Sequence, residues 1–134
     1  MTDYVDLTDG YRQSAGFSSS TRAGIGGGRK YNSDSEALAN NIEYITIASV
    51  GNAADFGDLT NRRSSQISLS NNTRALFGGG YDYAGAPAGS GTRKDIIDFI
   101  TIQSLGDAVD FGNLQQAKLN MASVASTTRG VHST

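Results

Sequence analysis

The residues best suited to chemistry in this chain recur in pairs. The run GIGGGRK at Gly24–Lys30 has the glycines and basic end of a phosphate-binding loop. That loop, however, needs Gly-Lys-Ser/Thr opening a helix, and no such sequence follows. The counterpart further on, FGGGYDY, has lost the basic residues, so both runs read as tight turns that need positive φ and a close backbone approach. Asp-Phe-Gly occurs at Asp55–Gly57 and at Asp110–Gly112 without any catalytic-loop sequence, and reads as the end of a strand. Asp55 and Asp110 could serve as the paired acids of a glycosidase. Because they hold the same place in successive repeats, bonding a neighbouring turn is the simpler role.

The remaining candidates are thinner. Arg22, Arg74 and Arg129 recur with the repeat and read as architectural, bonding carbonyls or nearby Asp residues. His132 is the single histidine and there are no cysteines, so one chain can form neither a catalytic triad nor a multi-histidine or thiolate metal site. Asn32–Glu36 (NSDSE) alternates oxygen ligands as a calcium loop does. Its spacing falls short of an EF-hand and the second repeat lacks it, which favours a solvated loop. Asn71-Asn72-Thr73 matches a glycosylation acceptor, which means little outside a secretory context. These readings assign no catalytic residue, no cofactor and no metal.

The elements that hold these residues come from a repeat. Ile42–Leu59 and Ile97–Leu114 share 11 of 18 residues, and Ser20–Gly28 matches the run ending at Gly80. The arginines lie 52 and 55 residues apart. Asp3–Thr8 (DYVDLT) echoes Asp55–Thr60 (DFGDLT), and Thr127–Val131 opens a third copy. Each unit offers four strands separated by turn signals. In the first they are Ala15–Ser18, Arg22–Ile25, Asn41–Ile47 and Ala53–Phe56. In the second they are Ser64–Leu69, Arg74–Phe77, Ile96–Ile102 and Ala108–Phe111. A period near fifty residues with four strands predicts a β-propeller blade, since a β-helix needs a far shorter period. The expected fold is all-β: four-stranded antiparallel blades at 11–59 and 60–114, with partial blades at 1–10 and 115–134.

The segments between second and third strands, Arg29–Asn40 and Tyr81–Asp95, differ in length and composition. They are expected to be loops on one face, presenting Lys30, Tyr31, Tyr81, Tyr83, Arg93 and Lys94. Tyrosines among mixed charges suit recognition of protein or carbohydrate.

Arg63, then RALFGG, IDFITI and DFGNL in order, resemble kelch-type blades. The fourth-strand aromatic, commonly Trp in that family, is here Phe56, Phe111 or Tyr4. The fuller pattern is similar to kelch-like repeats in structural proteins of tailed bacteriophages, particularly those of marine bacteria. The resemblance implies a non-enzymatic virion protein of the tail, fibre or capsid surface, made in the host cytoplasm. Its partners would be other virion proteins and a host-surface glycan. A sugar- or receptor-binding module is the alternative, with a glycosidase behind it.

Composition agrees with the β reading. Apolar residues are only 37%, and 17 glycines accompany many Ser, Thr, Asn and Asp residues that weaken helix interiors and stabilise turns. A net charge of −2 opposes nucleic-acid binding. The chain has neither an apolar run of membrane-spanning length nor a signal-peptide pattern, so no membrane insertion is expected. Propellers usually close with four to eight blades. Two complete blades therefore predict a homo-oligomer: a trimer by preference, or a dimer whose loose ends combine.

Overall fold

A computed structural model describes residues 6–31, 37–82 and 91–133, and all regular structure among them is β. The first sheet contains β1 (Tyr11–Arg12), β2 (Ala15–Ser18), β3 (Arg22–Lys30), β4 (Ala37–Thr46) and β5 (Ala54–Asp58). Strands β2-β3-β4-β5 pair antiparallel in chain order, and β1 pairs the far end of β3. The second unit runs through β6 (Ile67–Ser70), β7 (Arg74–Gly78), β8 (Tyr81–Asp82), β9 (Thr92–Arg93), β10 (Ile96–Thr101) and β11 (Val109–Asn113). Its main sheet is β6-β7-β10-β11, with β8-β9 as a separate ladder. A third unit begins with the hairpin of β12 (Ser123–Ala125) and β13 (Gly130–His132). None of these sheets closes into a barrel.

One turn, built three times, sets the first two strands of every unit. The carbonyls of Arg22, Arg74 and Arg129 accept the N–H of Ser19, Asn71 and Ser126 at 2.7, 3.0 and 2.7 Å. The side-chain oxygen of that first residue (Ser19 Oγ, Asn71 Oδ1 or Ser126 Oγ) then accepts from two amides, that of the threonine before the arginine and that of the arginine itself. Ser and Asn are the residue types that bond their own backbone in this way.

The core lies between the two main sheets. Phe17, Ile42, Phe56 and Leu59 of the first unit meet Ala75, Phe77, Ile100, Ile102 and Ala108 of the second. Phe17 and Phe77 meet edge to face with centroids 5.9 Å apart. A Cβ on Gly26 would stand 2.9 Å from the Phe77 ring, so glycine there lets the ring lie against the backbone. Pleating sends alternate residues to opposite faces, so Leu69, Leu76, Phe99 and Phe111 lie on the far side of the second sheet.

Several boundaries differ from those expected. The glycines of the first unit do not end β3. Gly27 and Gly28, at φ 59° and 103°, form a bulge, and the strand continues to Lys30 because β1 and β4 pair its far end. For the same reason Arg29–Lys30 and Ala37–Asn40 are strand rather than loop, and Tyr81–Asp82 with Thr92–Arg93 form the small ladder. The strand expected at Ser64–Leu69 is Ile67–Ser70, with Ser64 in an isolated bridge to Tyr81. Asn32–Glu36, Tyr4 and Tyr83 lie outside the described residues.

Candidate functional site

Of the six residues expected to form an interaction surface, five are described, and three of those engage their own chain through their side chains. Lys30 Nζ lies 3.5 Å from Asp9 and 5.7 Å from the Tyr11 ring centre. Burial works against its charge, but Tyr11 and Asp9 outweigh that and hold its pKa above the ordinary lysine value. Lys94 Nζ lies 3.5 Å from Asp82, and the Tyr81 hydroxyl accepts from the Gly91 amide at 2.8 Å. Tyr31 and Arg93 are exposed. The linker Arg63–Ser64 runs between the two groups. Its Arg63 carbonyl accepts from the Gly28 amide and its Ser64 carbonyl from the Tyr81 amide, both at 2.8 Å. Lys30 and Tyr31 thus lie one sheet away from Tyr81, Arg93 and Lys94, beside the corresponding ends of the two second strands.

The most heavily bonded polar cluster escaped the sequence reading. Asp98, on the third strand of the second unit, accepts from the Thr60 amide at 3.1 Å and the Thr60 hydroxyl at 2.7 Å. It also pairs with Arg63 at 3.0 Å, both side chains being 0% exposed. Arg63 in turn donates to the Phe77 carbonyl at 3.2 Å. Burial lowers the Arg63 pKa, and the Asp98 carboxylate offsets part of that loss. Thr60 and Arg63 belong to the connection leaving the first sheet, so Asp98 latches that connection to the second.

The first unit repeats the latch with other residues. Glu43 stands where Asp98 does and accepts from the Thr8 amide at 3.1 Å and from the Thr8 hydroxyl. Tyr11 replaces Arg63 and donates to Glu43 Oε1 at 2.6 Å, while Asn41 donates to the same oxygen at 3.1 Å. Burial, then the bond to Glu43, raises the Tyr11 pKa. The visible sequence signal was the acid shared by IEYITI and IDFITI, together with the Thr closing both copies of DLT.

The recurrent arginines divide. Arg22 stacks 4.8 Å above Tyr44 and donates to the Ile102 carbonyl at 2.6 Å, across to the second sheet, as expected of an architectural arginine. Arg74 stacks 5.1 Å above Phe99 but is exposed, as is Arg129. Of the two candidate acids, Asp110 accepts from the Gly112 amide of its own turn at 3.0 Å, and Asp55 is exposed. Near the fourth strands, the acid that bonds across the units is Asp107, which accepts from the Asp58 amide at 3.0 Å. Nothing in this geometry brings Asp55 and Asp110 together around a cleft.

The apolar surface is equally uneven. Phe56 is 2% exposed, whereas its counterpart Phe111 is 57% exposed. Phe111 lines a groove of about 280 Å³ with Leu69, Leu76, Arg74 and Gly130. At the opposite end of the stack, Leu7, Ala23, Ile25, Ile45 and Ala53 line a second groove of about 210 Å³. The chain matches no model of a known protein family and none of the curated proteins.

Proposed function

We propose that the two main sheets are kelch-like propeller blades, and that the chain is a non-catalytic structural and interaction component of a tailed-phage particle. The observation that carries the blade reading is the repeated packing face. Two four-stranded antiparallel sheets, each in chain order, stack with their first strands adjacent, and the second sheet repeats on its far side the residues that the first sheet buries. The phage setting rests on the sequence resemblance. The two best-partnered buried acids, Asp98 and Glu43, bond the connections that enter their sheets, which supports a scaffold rather than a reaction centre.

The ring is completed by other copies. An apolar face at each end of the stack favours association. The hairpin β12–β13 stands where the first two strands of a third sheet belong, the place that the first two strands of a following copy would also need. That supports composite blades over a trimer of two blades each. Light scattering on purified protein at micromolar concentration tests the assembly. A particle of two or more chains is expected, and a stable, folded 14.0 kDa monomer would end this part of the reading.

A further inference from the structure

We infer that the open edge of β13, together with the groove over Phe111, is a docking site for an extended strand from another polypeptide carrying the same type of repeat. The proposal rests on the blade reading above and names what completes the third sheet.

The edge is defined by hydrogen bonds. β12 and β13 pair with Val124 opposite Val131, and the flanking bonds run from Ser126 N to Arg129 O and from Ser133 N to Ala122 O. Backbone groups alternate sides along a strand, so the N–H and C=O of Gly130 and His132 point away from β12, to the side where no strand lies among the described residues. In the second unit the equivalent edge, that of β7, is filled by β10.

The groove defines the side chains of the incoming strand. Leu69, Leu76, Phe99 and Phe111 repeat the positions of Phe17, Gly24, Tyr44 and Phe56. Phe17 and Phe56, with the partly buried Tyr44, share one core cluster with Ala75, Ile100, Ile102 and Ala108, which the second unit supplies from its second strand and the ends of its third and fourth. Gly130 already holds the place of Ala75, since a Cβ there would stand 2.8 Å from Leu69. What remains unfilled is the place of Ile100, Ile102 and Ala108. A strand at the β13 edge with β-branched residues at alternate positions would lay them over Leu76, Phe99 and Phe111. Its end would present a carbonyl to Arg74, as Ile102 does to Arg22.

The test uses the whole chain and a synthetic peptide spanning residues 94–114, which carries a third and a fourth strand. The expected result is saturable binding of one peptide per chain, with slowed exchange of the Gly130 and His132 amides. A peptide with Ile100→Asp and Ile102→Asp should not bind. Leu76→Asp in the chain should weaken binding about tenfold or more. Pro lacks only the outward N–H, so His132→Pro should weaken binding even if Leu76→Asp fails to fold. Failure of the peptide to bind the folded chain, or binding without slowing those two amides, overturns the proposal. A chain that self-associates with those amides already protected supports it, the second copy being the polypeptide that carries the repeat. A chain whose two sheets exchange independently would instead remove the blade reading itself.

Discussion

The two units carry nearly the same residues in the same strands, yet one is a core and the other a surface. Phe56 and Phe111 both follow an Asp on the fourth strand, and Tyr44 and Phe99 both sit on the third. The first pair of rings is in contact 5.7 Å apart and the second at 6.0 Å. The difference lies entirely in what covers them. Ile102 is buried at 0% exposure beneath the first sheet, whereas Ile47, its counterpart, is 43% exposed, with no sheet among the described residues laid over it. A Cβ on Gly57 would collide with the Gly106 backbone, while one on Gly112 meets nothing, although both residues have the same positive φ. Burial in a repeat architecture belongs to the interface between units and not to the residue.

The largest effect that should separate the units is at the two latches. Asp98→Ala leaves the Arg63 guanidinium buried without its counter-charge, which should cost about 3–5 kcal/mol. Glu43→Ala removes an acid whose partners are neutral side chains and an amide, and should cost less. Urea denaturation of both variants checks the order. Equal losses would show that the charge on Arg63 adds nothing to the second latch.

Next comes the aromatic pair. Phe56→Ala empties a packed site and should cost about 3–5 kcal/mol, whereas Phe111→Ala should cost under about 1 kcal/mol in the isolated chain. Calorimetry of the two variants sharpens the comparison. If Phe111→Ala proves as damaging as Phe56→Ala, its face is covered in solution. A smaller contrast follows at the arginines. Arg22→Ala loses a charged hydrogen bond to the Ile102 carbonyl and should cost about 1.5–3 kcal/mol. Arg74→Ala gives up only its stacking on Phe99, worth about 0.5–1 kcal/mol at an exposed site. A double-mutant cycle with the stacked rings measures each part.

Much of this architecture was legible because it repeats. The duplicated eighteen-residue block located the third and fourth strands of each unit and the recurrent arginines the second, and Ala15–Ser18 matches the observed first strand at both ends. Strand ends were less legible where tertiary pairing overrides local signals. Three glycines announce a stop, but β1 and β4 hold β3 together beyond them. The latch was harder to read for a different reason: its acid and its threonine repeat, but their pairing does not show in the sequence. Thr60, Arg63 and Asp98 are scattered polar residues whose contacts join separate units, and no local pattern announces a contact 38 residues away. The candidate tyrosine and lysine surface was chosen by residue type. Type alone does not reveal that Lys30, Tyr81 and Lys94 already have partners.

The smallest expected difference between the latches is in their response to acid. Burial alone would raise the Glu43 pKa, but the hydrogen bonds from Thr8 and Tyr11, and the charge of Lys30, outweigh it and hold the carboxyl below its ordinary 4.5. A carboxyl depressed in the folded state stabilises it fully above the unfolded pKa, and this contribution disappears as pH falls through the folded value. Glu43→Gln keeps the shape and much of the hydrogen bonding but cannot ionise. The stability advantage of the unmodified chain over Glu43→Gln should therefore be constant near neutrality and shrink below about pH 4.5. Urea midpoints of both proteins between pH 7 and pH 3 measure this directly. An advantage that is flat across that range would mean that the charge of Glu43 plays no part in holding Thr8, and that hydrogen bonding alone closes the first latch.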